Sequence, residues 1–287
     1  MRLRRTAAGV SLAVMAGVVA PTYAPSEAAP LLPDGNGAVI AIVIDDTVDG
    51  ARLDEFLTLG APITYAVFPF QRRSRQASAK VKAAGAEAII HLPIDGRPTR
   101  PGGWYLGVRW TQGQVNEWVD RALRSVPDAV GANNHRGSTW NIRAMRQLMR
   151  RLYQNNLFFM DSWTVFNTVA YAAAVEQGMP SRINNLFLDT RADVDYTVGR
   201  LYKLAAIAKR HGSAIGIGHV QRRSTYLALK KAIPVLLASG YRILPLSEVT
   251  NRPYTSTVRR RLTPPYPTTT TSTTTTTTVV QDSTPPG

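Results

Sequence analysis

Aspartate and histidine side chains follow several of the short apolar segments of this chain. Asp45 and Asp46 end the first such segment, and His91, His135 and His219 follow three later ones. Two adjacent carboxylates repel each other when they are buried, so a cation is expected close to them. One aspartate and two histidines make a typical zinc site with an open position for water, and a further carboxylate or imidazole can move protons. These residues predict a metal-dependent hydrolase.

Asp161 is a further catalytic candidate, because it follows the apolar run 157–160. An Asp-Ser pair after a strand is also a common helix N-cap, so a structural role stays open for this residue. Trp104, Trp140 and Trp163 lie near the same segment ends. Their rings could stack on sugar rings or pack against the protein itself.

The absence of cysteine from all 287 residues excludes a thiolate nucleophile, a zinc–thiolate cluster and a disulfide framework. Any metal must therefore be bound by histidine, aspartate or glutamate. The sequence contains neither the G-x-S-x-G motif of serine hydrolases nor the H-E-x-x-H motif of zinc proteases. No G-x-G-x-x-G motif follows the first apolar run, which disfavours a dinucleotide-binding protein.

The formal net charge of +15 favours partners or surfaces that are anionic. Basic exported proteins can associate with anionic cell-wall polymers or membrane surfaces, and basic chains in general also bind nucleic acid. No RNP-type, zinc-finger or helix-turn-helix pattern supports nucleic acid as the partner. We therefore expect no nucleic-acid binding. The positive charge indicates either association with anionic surfaces or a hydrated basic surface without a specific partner.

Apolar runs alternate with helical patterns along the centre of the chain. The run 38–44 is continuously apolar, as is typical of a strand buried on both faces. Further predicted strands are 63–68, 88–90, 129–132, 157–160, 186–188, 213–217 and 242–244. Predicted helices are 74–84, 112–126 with Thr111 as N-cap, 142–155, 194–211 and 225–239. The alternation predicts an α/β fold, a distorted (β/α) barrel of seven or eight βα units with mostly parallel strands. In such a fold the active site lies at the carboxyl ends of the strands.

The two ends of the chain differ in composition from this central region. Residues 1–28 combine early arginines, a short apolar run and small residues, which predicts a signal peptide; an uncleaved anchor is the alternative. Either interpretation places the protein outside the cytoplasm, secreted or associated with the cell envelope. Residues 29–37 form a predicted linker and 38–251 the predicted barrel. The Thr- and Pro-rich residues 252–287 cannot bury a core and are predicted to be a disordered tail.

Seven segments carry a more specific pattern. They are 43–46 (VIDD), 85–93 (GAEAIIHLP), 131–138 (GANNHRGS), 157–162 (LFFMDS), 187–189 (FLD), 214–219 (AIGIGH) and 244–247 (LPLS). These segments occur in the order found in the divergent polysaccharide deacetylase family, which is related to the carbohydrate esterase family 4 polysaccharide deacetylases. The chain resembles that family over about residues 38–250. The resemblance implies a distorted (β/α) barrel that binds a divalent metal, with zinc favoured.

The resemblance also implies roles for the candidate residues. In the better-known relatives the first aspartate of the pair acts as the base and the second binds the metal. Asp45 is therefore the expected base, and Asp46 is an expected ligand. His219 matches the histidine of the relatives' final motif and is the expected general acid.

The remaining metal ligands follow the family pattern less closely. His91 matches the first histidine of the relatives' H-x-x-x-H motif, but the fourth residue after it is Asp95. His135 lies where the relatives carry an arginine-containing loop, and we expect it to replace the missing histidine. Asp95 is the alternative third ligand.

The resemblance implies the metal-assisted removal of an acetyl group from an extracellular glycan or cell-wall polysaccharide. One alternative is a non-catalytic protein that binds glycan or cell wall through the same barrel and keeps a vestigial site. A weaker alternative is a metal hydrolase that acts on another bond, such as a phosphoester.

Overall fold

The computed structural model describes residues 32–94, 99–136 and 140–251. The predicted signal peptide 1–28 and the predicted tail 252–287 lie outside the described residues, and so does Asp95. Within the described residues, no helix is long and apolar enough to cross a membrane.

The described part of the predicted linker, residues 32–37, is attached to the barrel. The Gly35 N–H donates to the carbonyl of Ser239 at 2.6 Å, and the Gly37 N–H donates to that of Gly240 at 3.0 Å. Backbone groups that are paired in this way are fixed relative to their partners. This segment therefore follows the surface of the barrel.

The described strands form one sheet. They are β1 (Val39–Thr47), β2 (Thr64–Val67), β3 (Glu87–Leu92), β4 (Gly131–Asn134), β5 (Phe158–Asp161), β6 (Ser181–Ile183), β7 (Leu186–Phe187), β8 (Ser213–His219) and β9 (Arg242–Ile243). Each of the eight predicted strands is present, with ends displaced by a few residues. Strand β6 was not predicted, because a Ser-Arg-Ile segment has no apolar run to mark it.

Helices connect most of these strands. They are α1 (Ala51–Leu57), α2 (Ser74–Ala83), α3 (Gln112–Ser125), α4 (Ile142–Gln154), α5 (Ala170–Glu176), α6 (Val194–His211), α7 (Arg223–Ala238) and α8 (Leu246–Thr250). Thr111 caps α3 as predicted: its side chain accepts from the Gln114 N–H, and the Gln114 side chain accepts from the Thr111 N–H. The helices α1, α5 and α8 are too short to give a clear periodic pattern and were not predicted.

The sheet curls around β1. Its strand order is β6-β5-β4-β3-β2-β1-β8-β7, and β9 pairs with the start of β1. Every strand pair is parallel. Among the described residues β6 and β7 do not pair with each other, so the barrel stays open between them. The predicted α/β fold, a distorted (β/α) barrel of mostly parallel strands, is confirmed.

Two apolar clusters cover the two faces of the sheet. The larger joins one face of the strands to the helices around it and includes Ile40, Ile42 and Ile44 of β1. The smaller fills the barrel interior and consists of Val39, Ala41, Val43, Ala66, Ile89, Phe158, Met160, Ile215, Ile217, Leu246 and Val249. Successive side chains of a strand point to opposite faces. A residue's place in this alternation therefore decides whether its side chain points into the barrel or toward the helices.

Candidate metal centre

The alternation along β1 explains the position of Asp45 and leaves that of Asp46 unexplained. Asp45 continues the inward series after Val43, and it is 3% exposed. A regular strand would turn Asp46 outward toward the helices. Instead, Asp46 has a left-handed backbone with φ of 58°, and the pairing of β1 with β2 shifts register between Ile44 and Thr47. This irregularity brings both neighbouring carboxylates to the same end of the barrel.

Asp46, His91 and His135 form a compact triangle at the carboxyl edge of the sheet. Asp46 Oδ1 lies 3.3 Å from His91 Nε2 and 3.1 Å from His135 Nδ1, and the two imidazole nitrogens are 3.0 Å apart. His91 lies on β3, and His135 directly follows β4, so three strands supply the three groups. The structure thus brings together the three residues that were predicted as ligands, and these atoms could hold one metal ion.

The chemistry of the triangle fits a zinc ion. Tetrahedral zinc with bonds of about 2.0–2.1 Å places its ligand atoms about 3.3 Å apart, close to the three distances between these side chains. Asp46 Oδ1 is buried and has no hydrogen-bond partner among the described residues. Burial opposes the ionisation of Asp46, but the two imidazoles outweigh it and hold the pKa of this carboxyl well below its usual range. An ionised, buried oxygen that has no hydrogen bond within the described ranges and lies beside two imidazoles favours a cation.

His91 is oriented by a neighbouring amide. Its Nδ1 lies 2.8 Å from Asn133 Oδ1, which can only accept, so Nδ1 carries the proton and Nε2 faces Asp46. Burial disfavours the charged form of His91, but Asp45 and Asp46 outweigh it and raise its pKa. A proton therefore competes with a metal for Nε2, and metal binding would release that proton.

Asn133, for which no role was predicted, also contacts the site residues. Its fully buried side chain lies on β4 and donates to Asp45 Oδ1 at 2.8 Å and to Ser162 Oγ at 3.1 Å. The signal that could have found it is its spacing: it lies two residues before His135 and so faces the same side of the strand.

Asp45 lies next to the triangle without closing it. Its Oδ1 is 3.7 Å from His91 Nδ1, and its backbone is the register partner of His219 on β8. Burial raises the pKa of Asp45, although His91, His219 and the amide of Asn133 offset part of this effect. A raised carboxyl pKa suits a group that must accept a proton from water.

His219 and Asp189 form a second hydrogen-bonded group across the barrel end. His219 Nδ1 lies 2.8 Å from Asp189 Oδ1, and Asp189 Oδ2 accepts from the His219 N–H and from Thr225 Oγ1. Burial disfavours the charged form of His219, but Asp189 outweighs it and raises its pKa. Because Nδ1 is engaged by Asp189, Nε2 is the nitrogen available to a substrate. The preceding Gly218 permits this arrangement, since a Cβ there would lie 2.7 Å from Thr225 Cγ2.

Asp161 points away from this group of residues. On β5 it alternates with Phe158 and Met160, which face the interior, so its carboxylate faces the helices. Its oxygens accept from the Trp163 N–H, the Thr168 hydroxyl and the Tyr171 N–H, at 2.9, 2.7 and 3.2 Å. These contacts indicate that Asp161 organises the loop between β5 and α5. Its catalytic role stays a prediction.

Aromatic rings surround the two metal-site histidines. Phe68 lies with its ring centre 4.9 Å from that of His91 and 4.8 Å from that of His135, and Trp104 lies 6.2 Å beyond it. Trp140 and Trp163 are 50% and 38% exposed. The predicted contact of these tryptophans with sugar rings stays a prediction.

A family model described as divergent polysaccharide deacetylase matches residues 42–250. The chain is also 38% identical over 189 residues to an uncharacterized protein of Haemophilus influenzae, and 35% identical over 189 residues to the uncharacterized protein YibQ of Escherichia coli. Each alignment covers 63% of this chain; they cover 66% and 58% of the two relatives. The chain therefore spans less than two thirds of the length of these relatives.

Solved structures support the fold assignment. An uncharacterized protein of Agrobacterium tumefaciens matches with a TM-score of 0.66 at 20% identity, over 75% of this chain and 89% of the other. The catalytic domain of a peptidoglycan N-acetylglucosamine deacetylase of Eubacterium rectale matches with a TM-score of 0.51 at 14% identity, over 76% of this chain and 91% of that domain. At such identities the likeness shows a shared barrel.

Proposed function

Because this chain belongs to the divergent polysaccharide deacetylase family, we propose that it is a metal-dependent hydrolase that removes acetyl groups from a glycan. The observation that carries the proposal is the triangle of Asp46, His91 and His135, which leaves a charged oxygen unsatisfied beside Asp45. The protein acts outside the cytoplasm, as residues 1–28 predict, on a glycan or cell-wall polysaccharide. Its positive charge favours retention at anionic surfaces of the cell envelope.

The three residues of the triangle would hold a divalent cation, with zinc favoured by the two imidazoles. When bound, such a cation polarises a carbonyl oxygen and lowers the pKa of a coordinated water. The protein's own residues then handle the protons. Asp45, whose pKa is raised, accepts the proton of the attacking water. His219 Nε2 donates a proton to the departing amine or alkoxide, while Asp189 stabilises the imidazolium.

The experiment measures zinc binding and acetate release from acetylated glycan oligomers in the same preparations. Wild type is compared with Asp45→Asn and His219→Gln, each of which removes one proton-transfer group outside the triangle. Both variants are expected to bind zinc and to release acetate about 100-fold or more slowly, as is usual when a general acid or base is lost. The matched control is Asp195→Asn, which changes an exposed carboxylate that pairs with Lys231.

Three results would overturn the proposal. The first is equal acetate release from wild type, Asp45→Asn and His219→Gln. The second is zinc-loaded wild type that binds the oligomers and releases no acetate, which would make the protein a non-catalytic glycan-binding protein. The third is hydrolysis of a phosphoester without any release of acetate. The presence of base, acid and three ligands at one barrel end supports the catalytic alternative.

A further inference from the structure

Asn133 uses both amide hydrogens and its carbonyl oxygen within the barrel. Its Nδ2 donates to Asp45 Oδ1 at 2.8 Å and to Ser162 Oγ at 3.1 Å, and its Oδ1 lies 2.8 Å from His91 Nδ1. The side chain is fully buried, so water does not compete for these groups. One amide on β4 therefore links β1, β3 and the residue that follows β5.

The orientation of this amide is determined by the carboxylate of Asp45. A carboxylate accepts only, so the –NH2 end of Asn133 must face Asp45 and the carbonyl end must face His91. The reverse orientation would place two acceptors 2.8 Å apart at Asp45. The carbonyl then requires a donor, and the only group that His91 offers there is Nδ1–H. Asp45 thus sets the tautomer of His91 through Asn133.

The tautomer matters because of what the other nitrogen of His91 faces. Nε2 lies 3.3 Å from Asp46 Oδ1 and 3.0 Å from His135 Nδ1. With the proton on Nδ1, a neutral His91 presents its Nε2 lone pair to the centre of the triangle, which is the state that a metal requires. With the proton on Nε2, the same ring would present a hydrogen to that position.

We propose that Asn133 is a positioning residue that couples the base to the metal centre. It fixes the tautomer of His91 and holds the carboxylate of Asp45 with the same amide. This inference rests on the proposed function for its kinetic consequence; its consequence for the metal site is independent of turnover. Ser162, whose hydroxyl accepts from this amide, is itself held by β4, since its N–H donates to Asn134 Oδ1 at 2.9 Å.

Two substitutions separate the two halves of this role. Asn133→Asp keeps an oxygen that accepts from His91 but replaces the amide hydrogens with a second buried carboxyl against Asp45, so the two carboxyls retain a proton between them and Asp45 is less available as a base. Asn133→Leu has a similar size and removes both contacts. Asn133→Asp is expected to bind zinc within about threefold of wild type and to lose about tenfold or more in kcat. Asn133→Leu is expected to lose about 10- to 100-fold in zinc affinity as well, the usual effect of removing a partner of a metal-bound histidine.

The tautomer gives a readout that a general loss of packing would not produce. The chain has four histidines, so nitrogen-15 labelling of the histidine rings gives a simple NMR spectrum. In the metal-free protein at alkaline pH, His91 is expected to be the Nδ1–H tautomer in wild type and in Asn133→Asp, and to show a mixture in Asn133→Leu. Ser162→Ala, which removes the third partner of the amide, serves as a control that retains the tautomer and the zinc affinity.

Two outcomes would overturn the inference: an unchanged His91 tautomer in Asn133→Leu, or equal losses of zinc affinity in Asn133→Asp and Asn133→Leu. If Asn133→Leu does not fold, Asn133→Asp still tests the inference, because a large loss of zinc affinity there contradicts it. If wild type releases no acetate while the tautomer and affinity results hold, the proposed activity is wrong and the positioning of His91 by Asn133 stands.

Discussion

The aspartates at the ends of β1 and β5 occupy equivalent positions in the alternation of their strands, but their carboxylates lie in different surroundings. Asp46 and Asp161 both belong to the outward-facing series of their strands. Asp161 keeps that direction, and three donors from the following loop satisfy its oxygens. Asp46 is turned inward by a left-handed backbone, and its Oδ1 is left buried without a hydrogen bond among the described residues.

The difference distinguishes Asp161, whose carboxylate stabilises the following loop, from Asp46, whose carboxylate we propose to bind a metal. A buried polar group with all its partners contributes to stability, whereas one without partners costs free energy until something binds it. Strained backbone that places an unsatisfied group costs a further amount and is found mainly at functional sites. The end of β1 thus leaves a buried carboxylate oxygen without a hydrogen bond in the part of the chain that the structure describes, whereas both oxygens of Asp161 are paired.

The largest effect is expected from Asp46→Ala. Without this carboxylate the two imidazoles lose their anionic partner, so we expect zinc binding to be lost and acetate release to fall about 1,000-fold or more, since metal activation supplies several kcal/mol. Zinc titration and acetate assays check this. Asp54→Ala, at an exposed residue of α1, is the charge-matched control. Full zinc affinity in Asp46→Ala would contradict the proposed role of Asp46 as a metal ligand.

A metal should stabilise the end of β1 and leave the end of β5 unaffected. At a zinc concentration about 100 times the dissociation constant, binding stabilises the folded protein by about 2.7 kcal/mol. For a domain of this size that raises Tm by roughly 5–10 °C. The measurement is a pair of thermal melts with zinc and with chelator. The shift should persist in Asp161→Asn and vanish in Asp46→Ala; an equal shift in both variants would show that zinc binds elsewhere.

Asp161→Asn should affect stability and spare the metal centre. The new amide places an N–H group where the Thr168 hydroxyl and the Tyr171 N–H now donate, so at least one donor loses its partner. The expected cost is about 1–3 kcal/mol in the free energy of unfolding, measured by urea denaturation. Zinc affinity should remain within about threefold of wild type. A stable Asp161→Asn protein that has lost zinc affinity would instead support the catalytic role predicted from the sequence.

The smallest effect is expected from an exposed ion pair near the same loop. Arg146 on α4 pairs with Glu176 on α5 at 2.8 Å, and both side chains are about half exposed. Arg146→Ala should cost no more than about 1 kcal/mol, because exposed pairs gain little in water. Urea denaturation of Arg146→Ala and Asp161→Asn in parallel compares an exposed ion pair of the β5–α5 region with the buried hydrogen bonds of Asp161. A larger loss in Arg146→Ala would contradict the importance given to Asp161.

Much of the fold could be predicted because long apolar runs and long amphipathic helices leave a clear periodicity. The run at β1 and the helix α6, whose predicted range of 194–211 equals the observed one, are examples. The short elements β6, α5 and α8 could not be predicted, because their formation depends on packing against the sheet.

The site was predictable where strand alternation is regular. His91, His135 and His219 all belong to inward series, and their positions after apolar runs marked them as candidates. The same alternation, applied to β5, would have turned Asp161 outward, and applied to β4 it would have revealed Asn133. Asp46 is the exception: only the left-handed backbone directs it inward, and no local pattern encodes that turn.

The backbone at Asp46 also makes this position informative about evolutionary history. A left-handed conformation costs most residues other than glycine about 1–2 kcal/mol, and aspartate and asparagine tolerate it better than the rest. Under the proposed function, selection for metal binding keeps an aspartate at this position. Once that selection is relaxed, glycine, which adopts this conformation without strain, is favoured for stability alone. A homologous barrel with glycine here would therefore belong to a lineage in which the proposed metal site is no longer maintained.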